Sequence, residues 1–270
     1  MNRISIFFNH VVDFAKVRGI GIDEALAETK AMGYDGITLD IAFLQGDDGA
    51  KCERLIRASG LRVMAIWSGV DFIHSAPEEC DRKICALLET ARGFGCGNVL
   101  VLPGTFLKGD DKKAGLAKIY AGLNGVCEKA KKYGIDVTIE DFGIGDAPNG
   151  NIAGCADFFK NIPDLKFTLD TGNFTLYHEN PFDAYEALKD KIAYVHLKEK
   201  RFVTDANGNA GEEELAVGDG DLQLGKLMRK MIDEGYRGDF AVEHFGAADQ
   251  ESAMRRSAAY CRGILGGIQR

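Results

Sequence analysis

Ile192-Ala193-Tyr194-Val195-His196-Leu197-Lys198 is a short apolar run that ends in a histidine and a lysine, and its reading decides the fold. Enrichment in β-branched and aromatic residues, with a polar cluster beyond, marks a buried strand. Alternation sets Tyr194, His196 and Lys198 on one face and Val195 and Leu197 on the other. Val137-Thr138-Ile139-Glu140 and Lys166-Phe167-Thr168-Leu169-Asp170 precede it, and Phe240-Ala241-Val242-Glu243 follows. Each of these closes with an acid. Strands that deliver Glu140, Asp170, His196 and Glu243 to the same end point to a metal site.

Outward from this run, strand-like and helix-like segments alternate along the whole chain. Strands are expected at Ile4–Phe8, Gly36–Asp40, Arg62–Trp67, Asn98–Leu102, Asp136–Glu140, Lys166–Asp170, Ile192–Leu197 and Asp239–Glu243. Helices are expected at Asp23–Met32, Lys51–Ser59, Pro77–Phe94, Lys112–Tyr133, Ile152–Asn161, Phe182–Lys189, Leu222–Glu234 and Glu251–Leu265. In the helix after Asp221, Leu224, Leu227, Met228, Met231 and Ile232 form one apolar stripe; Asp221 is the expected N-cap and Gly235 the stop. A Gly just past a helix announces several strands: Gly33, Gly60, Gly134 and Gly235. This pattern, with no composition shift to mark a boundary, predicts a single (β/α)8 TIM barrel over residues 1–270. A doubly wound open sheet is the alternative, but no Gly-rich phosphate loop follows the first strand.

The chain has 270 residues, 46% of them hydrophobic, enough for a sizeable core. Its net charge of −8 argues against nucleic acid and other polyanions as partners. The seven cysteines show no ligand spacing, Met1–Ile6 lacks signal-peptide architecture, and no apolar run reaches membrane-spanning length. The expectation is a reduced cytoplasmic protein that does not engage a membrane. One connection stands out. From Glu199 to Gly220 the chain is polar and follows the histidine strand, so it reads as a loop over the barrel mouth, either a lid or an ordered surface excursion.

In a barrel, residues at C-terminal strand ends face a common cavity. Glu140, Asp170, His196 and Glu243 would gather three carboxylates and one imidazole there. That density of negative charge in a partly dry cavity is costly without a cation. Oxygen-rich ligation with one nitrogen favours Mn²⁺ or Mg²⁺, with Co²⁺ and Zn²⁺ as alternatives. Lys198 shares the parity of His196, so it would bind a substrate hydroxyl or oxyanion or else balance the carboxylates. Trp67, the only tryptophan, is an expected aromatic wall of the cavity, and His10, in the loop after the first strand, an expected substrate contact.

Val137–Glu140, Leu169-Asp170-Thr171-Gly172-Asn173, Val195-His196-Leu197-Lys198-Glu199 and Val217-Gly218-Asp219-Gly220-Asp221 leading to Phe240–Glu243 are the marks of a resemblance. The chain resembles the sugar-phosphate isomerase/epimerase superfamily with a xylose-isomerase-like barrel. That resemblance implies that Glu140, Asp170, His196 and Glu243 are metal ligands. It also implies that Glu140 and Glu243 are the catalytic pair, one removing a proton beside a carbonyl and the other returning it through an enediolate. Substrates would be small sugars or polyol derivatives, and assembly as a homodimer or homotetramer is implied. Two departures matter: where ketose 3-epimerases carry a His, this chain has Asn173, and Arg201 is the nearest match to their Arg after the metal histidine. An inosose-type dehydratase, or a metal-containing carbohydrate-binding barrel without catalysis, would use a similar ligand set.

Overall fold

Strands and helices alternate through the described residues of the computed structural model, which are 2–143, 145–204 and 208–268. In chain order the strands are β1 (Ile4–Phe7), β2 (Gly36–Asp40), β3 (Arg62–Gly69), β4 (Asn98–Leu102), β5 (Asp136–Glu140), β6 (Lys166–Asp170), β7 (Ile192–Thr204), β8 (Ala210–Leu215) and β9 (Asp239–Glu243). The helices are α1 (Phe8–Arg18), α2 (Ile22–Ala31), α3 (Gly49–Ser59), α4 (Pro77–Phe94), α5 (Lys112–Lys131), α6 (Ile152–Asn161), α7 (Pro181–Leu188), α8 (Leu224–Asp233) and α9 (Gln250–Ile268). The strand order is β6-β5-β4-β3-β2-β1-β9-β7-β8, with β6 also paired to β7. Eight strands therefore close a parallel (β/α)8 barrel, and β8 hangs from β7 as an antiparallel extra. Contacts along the chain cluster into two units, residues 1–39, 43–62 and 195–270, and residues 40–42 and 63–194.

In the second unit, β4, β5 and β6 run side by side in register, Leu100 opposite Thr138 and Glu140 opposite Thr168. Val99, Val101, Val137, Ile139, Phe167 and Leu169 are buried, as a strand covered on both sides requires. On the opposite parity, Thr168 Oγ1 donates to Thr138 Oγ1 at 2.8 Å, and Thr138 Oγ1 donates to the Val99 carbonyl at 3.1 Å. These buried hydroxyls thus satisfy one another, directly beneath the acids that end β5 and β6. In the first unit, α8 buries Leu224, Leu227, Met228 and Met231 of the stripe expected from sequence, with Ile232 half-buried. Each such side chain contributes about 1.5–3 kcal/mol on burial. Gly33, Gly60, Gly134 and Gly235 all adopt positive φ, which only glycine takes without strain.

Three expectations fail. The stretch after β1 is not a loop: α1 begins at Phe8, directly after the strand, buries Phe8, Val11 and Phe14, and stops at Gly19 with φ 66°. The expected loop from Glu199 to Gly220 is largely a hairpin, β7 running on to Thr204 and pairing with β8. Lys200 lies opposite Glu214 and Arg201 opposite Glu213, so charge complementarity across strands holds it. Residues 205–207, inside the expected loop, lie outside the described residues. Nor does Asp221 cap α8. Gln223 occupies that position in a left-handed conformation (φ 56°), while Asp221 Oδ2 accepts from the Phe202 N–H at 2.9 Å.

Candidate metal centre

Glu140 and Asp170 are the last residues of β5 and β6, and both are buried. Asp170 Oδ1 accepts from the N–H groups of Gly172 at 2.8 Å and Asn173 at 3.0 Å, which turns the chain back at the strand end. Asp141 Oδ1 accepts from the Asp170 N–H at 2.9 Å. Burial, with the charge of Asp170 adding to it, pushes the Asp141 carboxyl well above its ordinary value. Asn149 Nδ2 donates to the Glu140 carbonyl at 2.6 Å and Asn173 Nδ2 to the Asp141 carbonyl at 2.8 Å. Two side-chain amides therefore hold the main chain on either side of the Glu140–Asp141 peptide. Trp67, in β3, is half-buried, and its indole N–H has no hydrogen-bond partner in the structure.

His196 and Lys198 project from β7 and Glu243 ends β9; all three are buried. Lys198 Nζ lies 2.6 Å from Glu243 Oε1, and His196 Nδ1 lies 3.3 Å from Glu243 Oε2. This ion pair gives Lys198 a charge-balancing contact. The Phe7 ring meets His196 edge-on at 4.8 Å and Phe245 at 5.6 Å, giving the histidine an aromatic flank.

Glu140, Asp170 and His196 each bring one ligand atom to within 4.8 Å of the others, and all three are buried. Two carboxylate oxygens and one imidazole nitrogen form a donor set suited to a hard or borderline divalent cation. Two carboxylates desolvated at that separation are costly unless a positive charge joins them. Glu243, the fourth expected ligand, lies outside this triplet, with its Oε1 2.6 Å from Lys198 Nζ.

The sequence profile described as a xylose isomerase-like TIM barrel matches residues 26–264. The chain belongs to the xylose isomerase-like TIM barrel family. Among solved structures, a xylose isomerase-like TIM barrel protein from Mycobacterium smegmatis in complex with magnesium aligns at TM-score 0.75 and 17% identity, over 92% of this chain and 89% of that one. L-ribulose 3-epimerase aligns at TM-score 0.74 and 19% identity, over 100% and 96%. The probable 3-DHS dehydratase involved in petrobactin synthesis from Bacillus anthracis aligns at TM-score 0.74 and 15% identity, over 97% and 98%. At these identities the likeness shows the fold. Comparison with curated protein sequences gives no match.

Within this xylose isomerase-like barrel, two expected substrate contacts are engaged by the protein itself. His10 lies in α1, not in a loop, and has no solvent exposure. Arg201 is on the exposed part of the hairpin, where its guanidinium donates to the Asp219 carbonyl at 2.7 Å. The Val217–Asp221 segment is likewise scaffold. The buried Glu199 carboxylate accepts from the N–H groups of Gly218 and Leu222, both at 3.1 Å, and the Asp221 N–H donates to the Lys200 carbonyl at 2.8 Å. Phe245 was not anticipated. It lies two residues after Glu243, is 39% exposed and packs on Phe7, and its only signal in the sequence is an aromatic two places past a strand-end acid. No helix among the described residues is long and apolar enough to cross a membrane.

Proposed function

We propose that the protein is a divalent-metal-dependent isomerase or epimerase acting on small sugars or polyol derivatives. The observation that carries this reading is the buried triplet of Glu140, Asp170 and His196. The epimerase name of one structural neighbour and the magnesium in another support it. Glu140, Asp170 and His196 would hold the cation, Mn²⁺ or Mg²⁺ by preference, with Glu243 as the fourth ligand. When bound, it supplies Lewis-acid polarisation of a substrate carbonyl.

The chain's own residues supply the proton transfers. One of Glu140 and Glu243 takes the proton beside the carbonyl and the other returns it; such general acid–base work is worth about 10²–10⁴-fold. Lys198, at 2.6 Å, keeps the Glu243 carboxylate in one orientation. Phe245, 39% exposed and packed on Phe7, offers apolar surface to sugar C–H faces. Asn173, whose amide donates to the Asp141 carbonyl, keeps the turn after β6 in shape rather than carrying a proton.

The test is deuterium incorporation from solvent into a panel of ketoses, L-ribulose among them, with Mn²⁺ present. Wild type should exchange label, and Glu140→Gln and Glu243→Gln should each lose it by about 10²-fold or more. Full exchange in either variant, or none in wild type with any substrate, would overturn the reading. The same residues could instead support dehydration, the activity named for the Bacillus anthracis neighbour. Net loss of water rather than label exchange separates the two.

A further inference from the structure

His10 sits behind the site, and its bond to the main chain next to Glu243 has a structural reason. β9 pairs with β1 in parallel, Ile4 opposite Phe240 and Ile6 opposite Val242. The Phe240 N–H donates to the Arg3 carbonyl at 3.0 Å, so even-numbered N–H groups of β9 point toward β1. By that alternation the His244 N–H should meet β1 again. By then, however, the chain has turned into α1, which starts at Phe8. His10 takes over: its Nε2 accepts from the His244 N–H at 3.1 Å.

The imidazole that does this is tightly held. His10 is fully buried, stacks on the His244 ring at 4.3 Å with 20° between planes, and lies 4.6 Å from the Phe245 ring. An Nε2 that accepts puts the ring proton on Nδ1 and requires a neutral ring. Burial agrees, holding His10 well below the ordinary histidine range, with nearby His244 and Lys198 adding to the effect.

We infer that His10 is a positioning residue for Glu243. Its imidazole closes the ladder that the β1-to-α1 turn leaves open, and so fixes the peptide that follows the carboxylate. The inference rests on the reading of Glu243 as a proton-transfer group. A displacement of about 1 Å at a reacting group can cost on the order of 10²-fold in rate.

Three variants and one spectrum test it. H10F keeps a ring of similar size but removes the acceptor; H10Q restores an acceptor close to the Nε2 position. With the panel ketose that wild type exchanges fastest, H10F should lower kcat by about 10²-fold with KM nearly unchanged, and H10Q should recover most of it. In wild type, ¹⁵N NMR should show His10 protonated on Nδ1 and a downfield His244 amide that H10F loses and H10Q keeps. H10F turning over like wild type while E243Q is inactive would overturn the inference alone. E243Q turning over like wild type would remove the reading of Glu243, and this inference with it. Should H10F not fold, the tautomer decides: a proton on Nε2 in wild type refutes the bond.

Discussion

Replacing Glu199 with alanine should weaken the whole protein, because this carboxylate does the work of a missing strand. It follows Lys198 on β7, is 1% exposed, and its two oxygens accept from the Gly218 and Leu222 N–H groups at 3.1 Å each. Removing it leaves the buried Leu222 N–H without an acceptor, while the exposed Gly218 N–H can turn to water. At about 1–3 kcal/mol for the one buried unsatisfied group, Glu199→Ala should cost about 1–3 kcal/mol, against a typical domain stability of about 5–15 kcal/mol. Gly220 leaves the loop no room to adjust, since a Cβ there would lie 2.3 Å from the Lys200 carbonyl oxygen. Urea unfolding should show a lower midpoint at unchanged m, and hydrogen exchange should show the Gly218 and Leu222 amides losing protection. A stability change under about 0.5 kcal/mol, the range of an ordinary surface substitution, would refute the reasoning.

Further outcomes follow from other parts of the chain. His74 bridges Asp71 (Nδ1 to Oδ2, 2.8 Å) and Asp110 (Nε2 to Oδ2, 2.9 Å), tying the segment after β3 to the segment after β4. The bond to Asp71, then that to Asp110, raises His74 above 6.5, so its share of the local stability is full below that value and is lost as pH rises through the higher folded value. Asp110 is lowered below 3.8, first by the Leu107 N–H and then by His74, so its share is present above 3.8 and lost as pH falls through the lower folded value. Amide protection factors at residues 71–74 and 107–111, with the intrinsic pH dependence of exchange divided out, should therefore be highest between those limits, and a flat profile, or one unchanged in His74→Gln, would contradict the bridge. In α5, two glycines should respond oppositely to alanine. At Gly125 nothing lies within 4 Å of a new Cβ, so Gly125→Ala should stabilise by about 0.8–1.0 kcal/mol through helix propensity. A Cβ at Gly122 would lie 2.3 Å from the Phe72 ring, and overpacking of about 1–3 kcal/mol should outweigh the same propensity gain. Thermal denaturation of the two variants checks the signs.

The eight barrel strands were legible because each is a short β-branched run bounded by turn residues, and their C-terminal acids and histidine fell at matching ends. What escaped has physical causes. α1 follows β1 without a connecting loop and has no side-chain cap, and its buried face includes a histidine, so its period was masked. The β7–β8 hairpin is held by charge pairs such as Lys200 opposite Glu214, not by an apolar face, so it carried no strand signal beyond the Asn207-Gly208 pair. Lys198 engaging Glu243, and Glu199 gripping the Gly218 and Leu222 amides, depend on how separate segments meet, which no local pattern encodes.

Manganese binding followed by electron paramagnetic resonance or calorimetry addresses the triplet itself, independently of any substrate. The account predicts one Mn²⁺ per chain, with a stabilisation against unfolding of about 2.7 kcal/mol at 100-fold excess over Kd. Asp170→Asn and His196→Ala should each lose that binding and that gain together. Wild type that takes up no divalent ion, or variants that bind Mn²⁺ with unchanged stoichiometry and affinity, would contradict it.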